Sequence, residues 1–96
     1  MRFTWDARKN VTNQRKHGFG FAEASALFTS GVEYLEICDE AHSIREDRFI
    51  AIGPIARGVI VVVFTEVVAD TIRIISARPA TGVEVNLYHE HMEEQR

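Results

Sequence analysis

Two arginines interrupt the run Asp70-Thr71-Ile72-Arg73-Ile74-Ile75-Ser76-Ala77-Arg78-Pro79-Ala80-Thr81, and their type and spacing suit them to bind an anion. Alternation in this β-branched stretch sends Ile72 and Ile74 to one face and Thr71 with Arg73 to the other. One face is then buried while the opposite face presents a guanidinium. Arg78 falls where the strand gives way to a helix. Each guanidinium is a rigid five-donor fork that engages two oxygens of a phosphate or carboxylate at once, which a lysine does not. The competing reading spends the same groups on structural ion pairs, for which 14 acidic residues are available.

A second concentration of charge lies near the start of the chain. Arg2, Arg8, Lys9, Arg15 and Lys16 stand against the single acid Asp6, whereas Glu33, Glu36, Asp39, Glu40, Glu46 and Asp47 load the middle. A net charge of −3 argues against a protein that coats nucleic acid non-specifically. A local basic patch on such a protein holds a short phosphate backbone weakly and in a salt-sensitive way.

The elements that position these groups follow from periodicity and punctuation. The 96 residues predict one domain over 1–96, with no linker, repeat or low-complexity stretch. Residues 2–5 read as a strand. Asp6 is a good N-cap for a helix over 7–16 that Gly18 ends, and this helix is unusually polar. Phe21, Ala24, Ser25 and Phe28 have the i, i+3, i+4, i+7 spacing of a second short helix, stopped at Ser30-Gly31. Strands are predicted over 32–38, 48–52, 59–65 and 71–76. A polar loop separates the first two, and a turn framed by Gly53-Pro54 and Arg57-Gly58 follows. Short connections make this meander antiparallel. Thr81-Gly82-Val83-Glu84 is a capping box that opens a helix to about residue 94. The expected fold is α+β, in the order β-α-α-β-β-β-β-α, with a central antiparallel sheet and helices packed on one face.

Cys38 is the only cysteine, which excludes an intrachain disulfide and a cysteine-based zinc site and fits a reducing compartment. The opening residues have no apolar signal region, and the longest apolar run, 59–64, is too short to span a bilayer. A cytoplasmic protein is expected.

Residues across nearly the whole chain carry a family likeness. Trp5-Asp6 with Lys9, Asn13, Lys16-His17-Gly18, 21–24, Phe28, 46–48, Ile52-Gly53, Thr65-Glu66, 72–78, Ala80-Thr81, Glu84 and Tyr88 together resemble the BrnT toxins. The resemblance implies a RelE-like fold and a small bacterial ribonuclease, the toxin half of a type II toxin–antitoxin pair, arresting growth by cutting RNA. It implies as partner BrnA, a ribbon-helix-helix antitoxin that masks the toxin, so that operator DNA is reached only indirectly. A two-fold antitoxin brings two toxins together with two antitoxin chains if each chain binds one. Val67 and Pro79 depart from the family, which usually has arginine and lysine there, and each departure removes a positive charge.

Cleaving RNA without a metal requires a group to take the 2′-hydroxyl proton, cations for the developing phosphorane charge, and an acid for the departing 5′-oxygen. His17 beside Lys16 is the first choice for proton transfer, with Glu46 and Glu66 as alternative bases. Arg48, Arg73 and Arg78, with Lys9, form the expected phosphate-binding set, and Tyr88 is placed to stack on a base. Each residue also has a plainer reading. His17 and Lys16 suit a helix C-terminus, the two glutamates suit ion pairs, and Tyr88 suits an amphipathic helix face.

No metal or cofactor is expected. His89 and His91 lie about 200° apart around a helix and cannot share an ion, and His42 with Asp39 and Glu40 reads as a solvated acidic loop. There is no glycine-rich phosphate loop and no Gly-x-Ser-x-Gly elbow. The alternative function is a catalytically weak or inactive subunit that acts through complex formation with the antitoxin and operon repression.

Overall fold

The computed structural model describes residues 1–42 and 46–94. Strands β1 (Arg2–Trp5), β2 (Leu35–Cys38), β3 (Arg48–Ile55), β4 (Gly58–Val67) and β5 (Thr71–Pro79) form one sheet in the order β1-β5-β4-β3-β2. β2 to β5 make the expected antiparallel meander. β1 instead lies parallel to β5, with Phe3 opposite Ile72 and Trp5 opposite Ile74, so the sheet is mixed. A parallel neighbour requires a long crossover, here everything from the first helix to β4.

Alternation divides the sheet into two faces. Ala51, Val62, Phe64, Ile72 and Ile74 point to one, where they meet Phe19, Phe21, Ala24 and Leu27 in the main core. Those last residues come from the segment after α1 (Ala7–His17) and from two single-turn helices, α2 (Phe21–Ala24) and α3 (Ala26–Thr29). The sequence predicts one helix here. The break falls at Ser25, whose hydroxyl donates to the Ala22 carbonyl at 2.6 Å, a local bond that competes with helix continuation. Phe28 closes the core edge-on against Phe64 and Tyr34, with centroids 5.0 and 5.4 Å away.

The expectation that helices pack on one face is corrected by α4 (Gly82–Glu94). Ile52 and Val61, paired in register, are buried outside the main cluster. α4 contacts β3 and β2 and turns half-buried Val85, Tyr88 and Met92 inward. With α1 to α3 occupying the first face, this helix covers apolar surface on the second that would otherwise be wet. No residue of α4 is fully buried.

The β3–β4 turn is also tighter than predicted. β3 runs through Gly53-Pro54, and only Ala56-Arg57 separate Ile55 from its partner Gly58. Gly53 therefore marks a close approach rather than a turn. A Cβ there would lie 2.7 Å from Leu27 Cδ1 and from Tyr34 Cβ. β2 begins at Leu35 rather than at residue 32. Of the polar loop after it, Glu40–His42 form one 3-10 turn. The suggested Asp39–Glu40–His42 grouping depends on a His42 side chain that lies outside the described part.

Candidate functional site

The site grows from the junction of β1 and α1. Asp6 ends the strand in extended conformation, and its carboxylate accepts from Arg8 N at 2.8 Å and Lys9 N at 3.1 Å. Those two amide groups, first Lys9 and then Arg8, hold the Asp6 carboxyl below its ordinary range, with smaller help from the charges of Lys9 and Arg73. At the other end Gly18 takes the left-handed conformation, φ 80°, and its N–H donates to the Gln14 carbonyl at 2.9 Å.

Between these caps, Lys9, Thr12, Asn13 and Lys16 recur at i, i+3, i+4 and i+7 and so share one helical face. That face looks toward the outer edge of β5. β1 pairs with β5 only as far as Ile74, which leaves the rest of β5 without a neighbouring strand on that side. Asn13 fills the gap. Its Oδ1 accepts from Ala77 N at 3.2 Å and its Nδ2 donates to the Phe19 carbonyl at 2.9 Å, and the residue is buried.

The helix and the bared edge enclose a cleft of about 450 Å³. Arg8, Lys9, Thr12, Lys16 and His17 line one wall, Ile75, Ser76 and Arg78 the other, and Asn13, Phe21 and Ala77 the floor. Four permanent cations and a histidine converge, and no carboxylate lines the cleft among the described residues. In a concave, partly desolvated site such charges act together on one anion.

Arg78 does not sit free in this cleft. Its Nη1 and Nη2 donate to Glu84 Oε1 and Oε2 at 2.7 and 2.8 Å, and Nη1 also reaches the Pro79 carbonyl at 3.3 Å. The same Glu84 closes the predicted capping box: Oε1 accepts from Thr81 N at 2.9 Å, and Glu84 N donates to Thr81 Oγ1 at 3.3 Å. The Arg78 fork, reinforced by the Thr81 amide, holds the Glu84 carboxyl at about 2.

The end of α1 is clamped from the β3–β4 turn. Arg57 donates to the Gly18 carbonyl at 3.2 Å, pairs with Glu23, and stacks 4.9 Å from the Phe19 ring centre. Sequence reading missed Arg57. An arginine beside a turn glycine carries no sign of a partner 34 residues away. Arg8, Thr12 and Ser76 were missed as lining residues as well, although the helical spacing of Arg8 and Thr12 was available.

Of the residues predicted for the site, Lys9, Lys16, His17 and Arg78 come together in this cleft. The others lie elsewhere. Arg48 and Arg73 flank Thr65 in register on the sheet face away from the main core, Arg48 partly buried and Arg73 exposed, and neither lines the cleft. Tyr88 sits on α4, its hydroxyl donating to the Glu33 carbonyl at 3.4 Å. Glu46 is exposed just before β3. Glu66 lies with Tyr34, Glu36 and Asp70 in a second hollow of about 310 Å³ that shares no lining residue with the first. There partial desolvation of the carboxyl at the edge of the hollow, and then the Glu66 charge, pushes the Glu36 carboxyl up, although the residue is exposed. Val67, where an arginine was expected, lines this acidic hollow, and Pro79 is exposed beside Arg78.

An α+β protein that gathers cations along one strand edge belongs, by geometry, with proteins that bind anions in a cleft. Comparison with known proteins is more specific. The family model described as "Ribonuclease toxin, BrnT, of type II toxin-antitoxin system" matches residues 5–84, which take in both cleft walls and end at Glu84. The 1.1 Å crystal structure of the Brucella abortus ribonuclease toxin, BrnT, is similar, with a TM-score of 0.62 and 29% identity. That similarity covers 84% of this chain and 97% of the Brucella chain. A comparison with curated protein sequences finds no match. The chain belongs to the BrnT family of ribonuclease toxins of type II toxin–antitoxin systems. No helix among its described residues is long and apolar enough to cross a membrane.

Proposed function

We propose that this protein is an endoribonuclease that cuts RNA in the cleft between α1 and β5 without a metal ion. One observation carries the reading: Arg8, Lys9, Lys16, His17 and Arg78 converge on a single concave site. His17, at the end of α1, takes the proton from a 2′-hydroxyl. The freed oxygen attacks the adjacent phosphorus to form a 2′,3′-cyclic phosphate, the bond to the 5′-oxygen breaks, and that oxygen leaves with a proton. Arg78, Lys9 and Lys16 stabilise the extra negative charge on the pentavalent phosphorus, and Arg8 extends the binding surface to a neighbouring phosphate. Lys16, beside His17 in sequence, serves as the acid for the leaving oxygen.

Glu46 and Glu66 remain reserve bases in this reading, and Arg48, Arg73 and Tyr88 are peripheral contacts for a longer RNA. A BrnA-type ribbon-helix-helix antitoxin neutralises the toxin in the cytoplasm, with two toxins and two antitoxin chains in the complex. Operator DNA is then contacted through the antitoxin.

The test is cleavage of purified total RNA by the isolated protein, beside His17→Ala, Arg78→Ala and a reaction with chelator. Chelator-resistant cleavage that either substitution abolishes supports the reading, and cleavage that survives both moves the site elsewhere. One observation favours a second reading, a weak or inactive subunit acting through the antitoxin. Glu84 already engages Arg78, and Pro79 supplies no charge beside it. Absence of cleavage together with tight antitoxin binding would select that reading.

A further inference from the structure

We propose that Glu84 is a positioning residue for RNA cleavage, holding Arg78 by one edge of its guanidinium so that the other edge is aimed at the substrate phosphate. The inference rests on the cleft being the RNA site. A guanidinium has two edges able to grip a pair of oxygens, Nη1 with Nη2 and Nε with Nη2. Glu84 takes the first, at 2.7 and 2.8 Å, and the Pro79 carbonyl adds a contact to Nη1 at 3.3 Å. What Arg78 presents to the cleft is then the Nε–Nη2 edge.

The carboxylate is itself held. Thr81 N donates to Oε1 at 2.9 Å, and the Glu84 amide donates to Thr81 Oγ1 at 3.3 Å. Pro79, between arginine and cap, restricts the intervening backbone. Arg78, whose side chain is 43% exposed, would otherwise spread over several rotamers at the strand end. One glutamate thus joins the start of α4 to a cation of the cleft, and the sequence signals only the first task. A group held in place before the substrate arrives needs no reorganisation in the transition state, so its effect belongs in kcat rather than KM.

The experiment uses the full chain and a labelled single-stranded RNA oligonucleotide that the wild type cuts. Glu84→Gln retains a capping side chain but sets an amide NH2 against Nη2. Thr81→Ala weakens the cap while leaving both Glu84–Arg78 bonds. With folded fractions matched by circular dichroism, Glu84→Gln is expected to lower kcat about tenfold with KM changed less than about threefold. Thr81→Ala should leave kcat unchanged, and Glu84→Gln should add nothing in an Arg78→Ala background. In the wild type, the Arg78 Nε–H NMR resonance should shift when a 2′-deoxy, uncleavable version of the oligonucleotide is added.

An equal loss of kcat in Thr81→Ala, a Glu84 effect that persists without Arg78, or an unmoved Nε–H resonance would each overturn the proposal. Full activity in Glu84→Gln while Arg78→Ala is inactive would sink this inference alone. Full activity in Arg78→Ala would sink the inference, and full activity in His17→Ala as well would sink the cleft reading with it.

Discussion

Asn13 accepts a hydrogen bond from the Ala77 amide at 3.2 Å, and in doing so replaces a strand that the sheet does not supply. β5 loses its β1 partner after Ile74, and α1 lies along the edge this leaves. Because the Asn13 amide also donates to the Phe19 carbonyl at 2.9 Å, a single buried side chain joins helix, loop and strand. It holds the two walls of the cationic cleft at a fixed separation.

Asn13→Leu should therefore be strongly destabilising despite its better helix propensity. It leaves one buried backbone donor and one acceptor without partners, at a cost of about 2–3 kcal/mol in all. The check is urea unfolding followed by circular dichroism. A wild-type midpoint would show that the bridge contributes nothing.

The cleft charges make a prediction about salt. If Arg8, Lys9, Lys16 and Arg78 each meet a phosphate, the logarithm of RNA affinity should fall against log salt with a slope of about −3, and Lys16→Ala should flatten it by about 0.7. Arg73→Ala, outside the cleft lining, should leave the slope nearly unchanged for an oligonucleotide short enough to fill only the cleft, whereas Arg78→Ala should also reduce cleavage ~10²-fold. Fluorescence anisotropy at several salt concentrations measures the slopes. Equal effects of Arg73→Ala and Arg78→Ala on slope and cleavage would extend the RNA site along β5 beyond the cleft.

How far sequence reaches is visible in these same residues. Asp6 and Gly18 bound α1 because capping chemistry is local, and the β2–β5 meander was legible because alternation and short connections are local too. The parallel pairing of β1 with β5 spans almost 70 residues and leaves no mark in Arg2–Trp5. Lys9, Lys16 and His17 could be placed on one helix, but that their neighbour would be Arg78 rather than Arg73 depends on where β1 stops covering β5. The alternation argument sent Ile72 and Ile74 inward and Arg73 outward, as found. It could not say that α4 would cover part of the second face, because only the packed sheet shows that Ile52 and Val61 need a cover.

Glu84 sets a dependence of stability on acid. Its carboxyl ionises at about 2 in the fold against an ordinary 4.5, so its contribution is complete above about pH 5 and is lost as pH falls toward 2. The shift corresponds to at most ~3 kcal/mol, and screening of a pair whose arginine is 43% exposed reduces this to about 1 kcal/mol. Urea midpoints measured from pH 7 to pH 3 should drop less steeply for Glu84→Gln than for the wild type. Parallel curves would mean that the pair adds no net stability.

Glu36 should behave in the opposite sense. Partial desolvation first, and the nearby Glu66 charge second, raise the carboxyl of this exposed residue above the ordinary range, so the folded protein holds that proton somewhat more tightly than the unfolded chain does, an effect that solvent screening keeps small. The strain of the charge is therefore present at neutral pH and relieved as pH falls through the raised value. Glu36→Gln, which keeps the shape and removes the charge, should raise the melting temperature at pH 7 and give no gain at pH 4. It should leave RNA cleavage intact, because Glu36 and Glu66 share a hollow that has no lining residue in common with the cationic cleft. Thermal melts at the two pH values, beside a cleavage assay, check both parts. Lost cleavage in a stabilised Glu36→Gln protein would make the acidic hollow part of the machinery and return Glu66 to the front as a base.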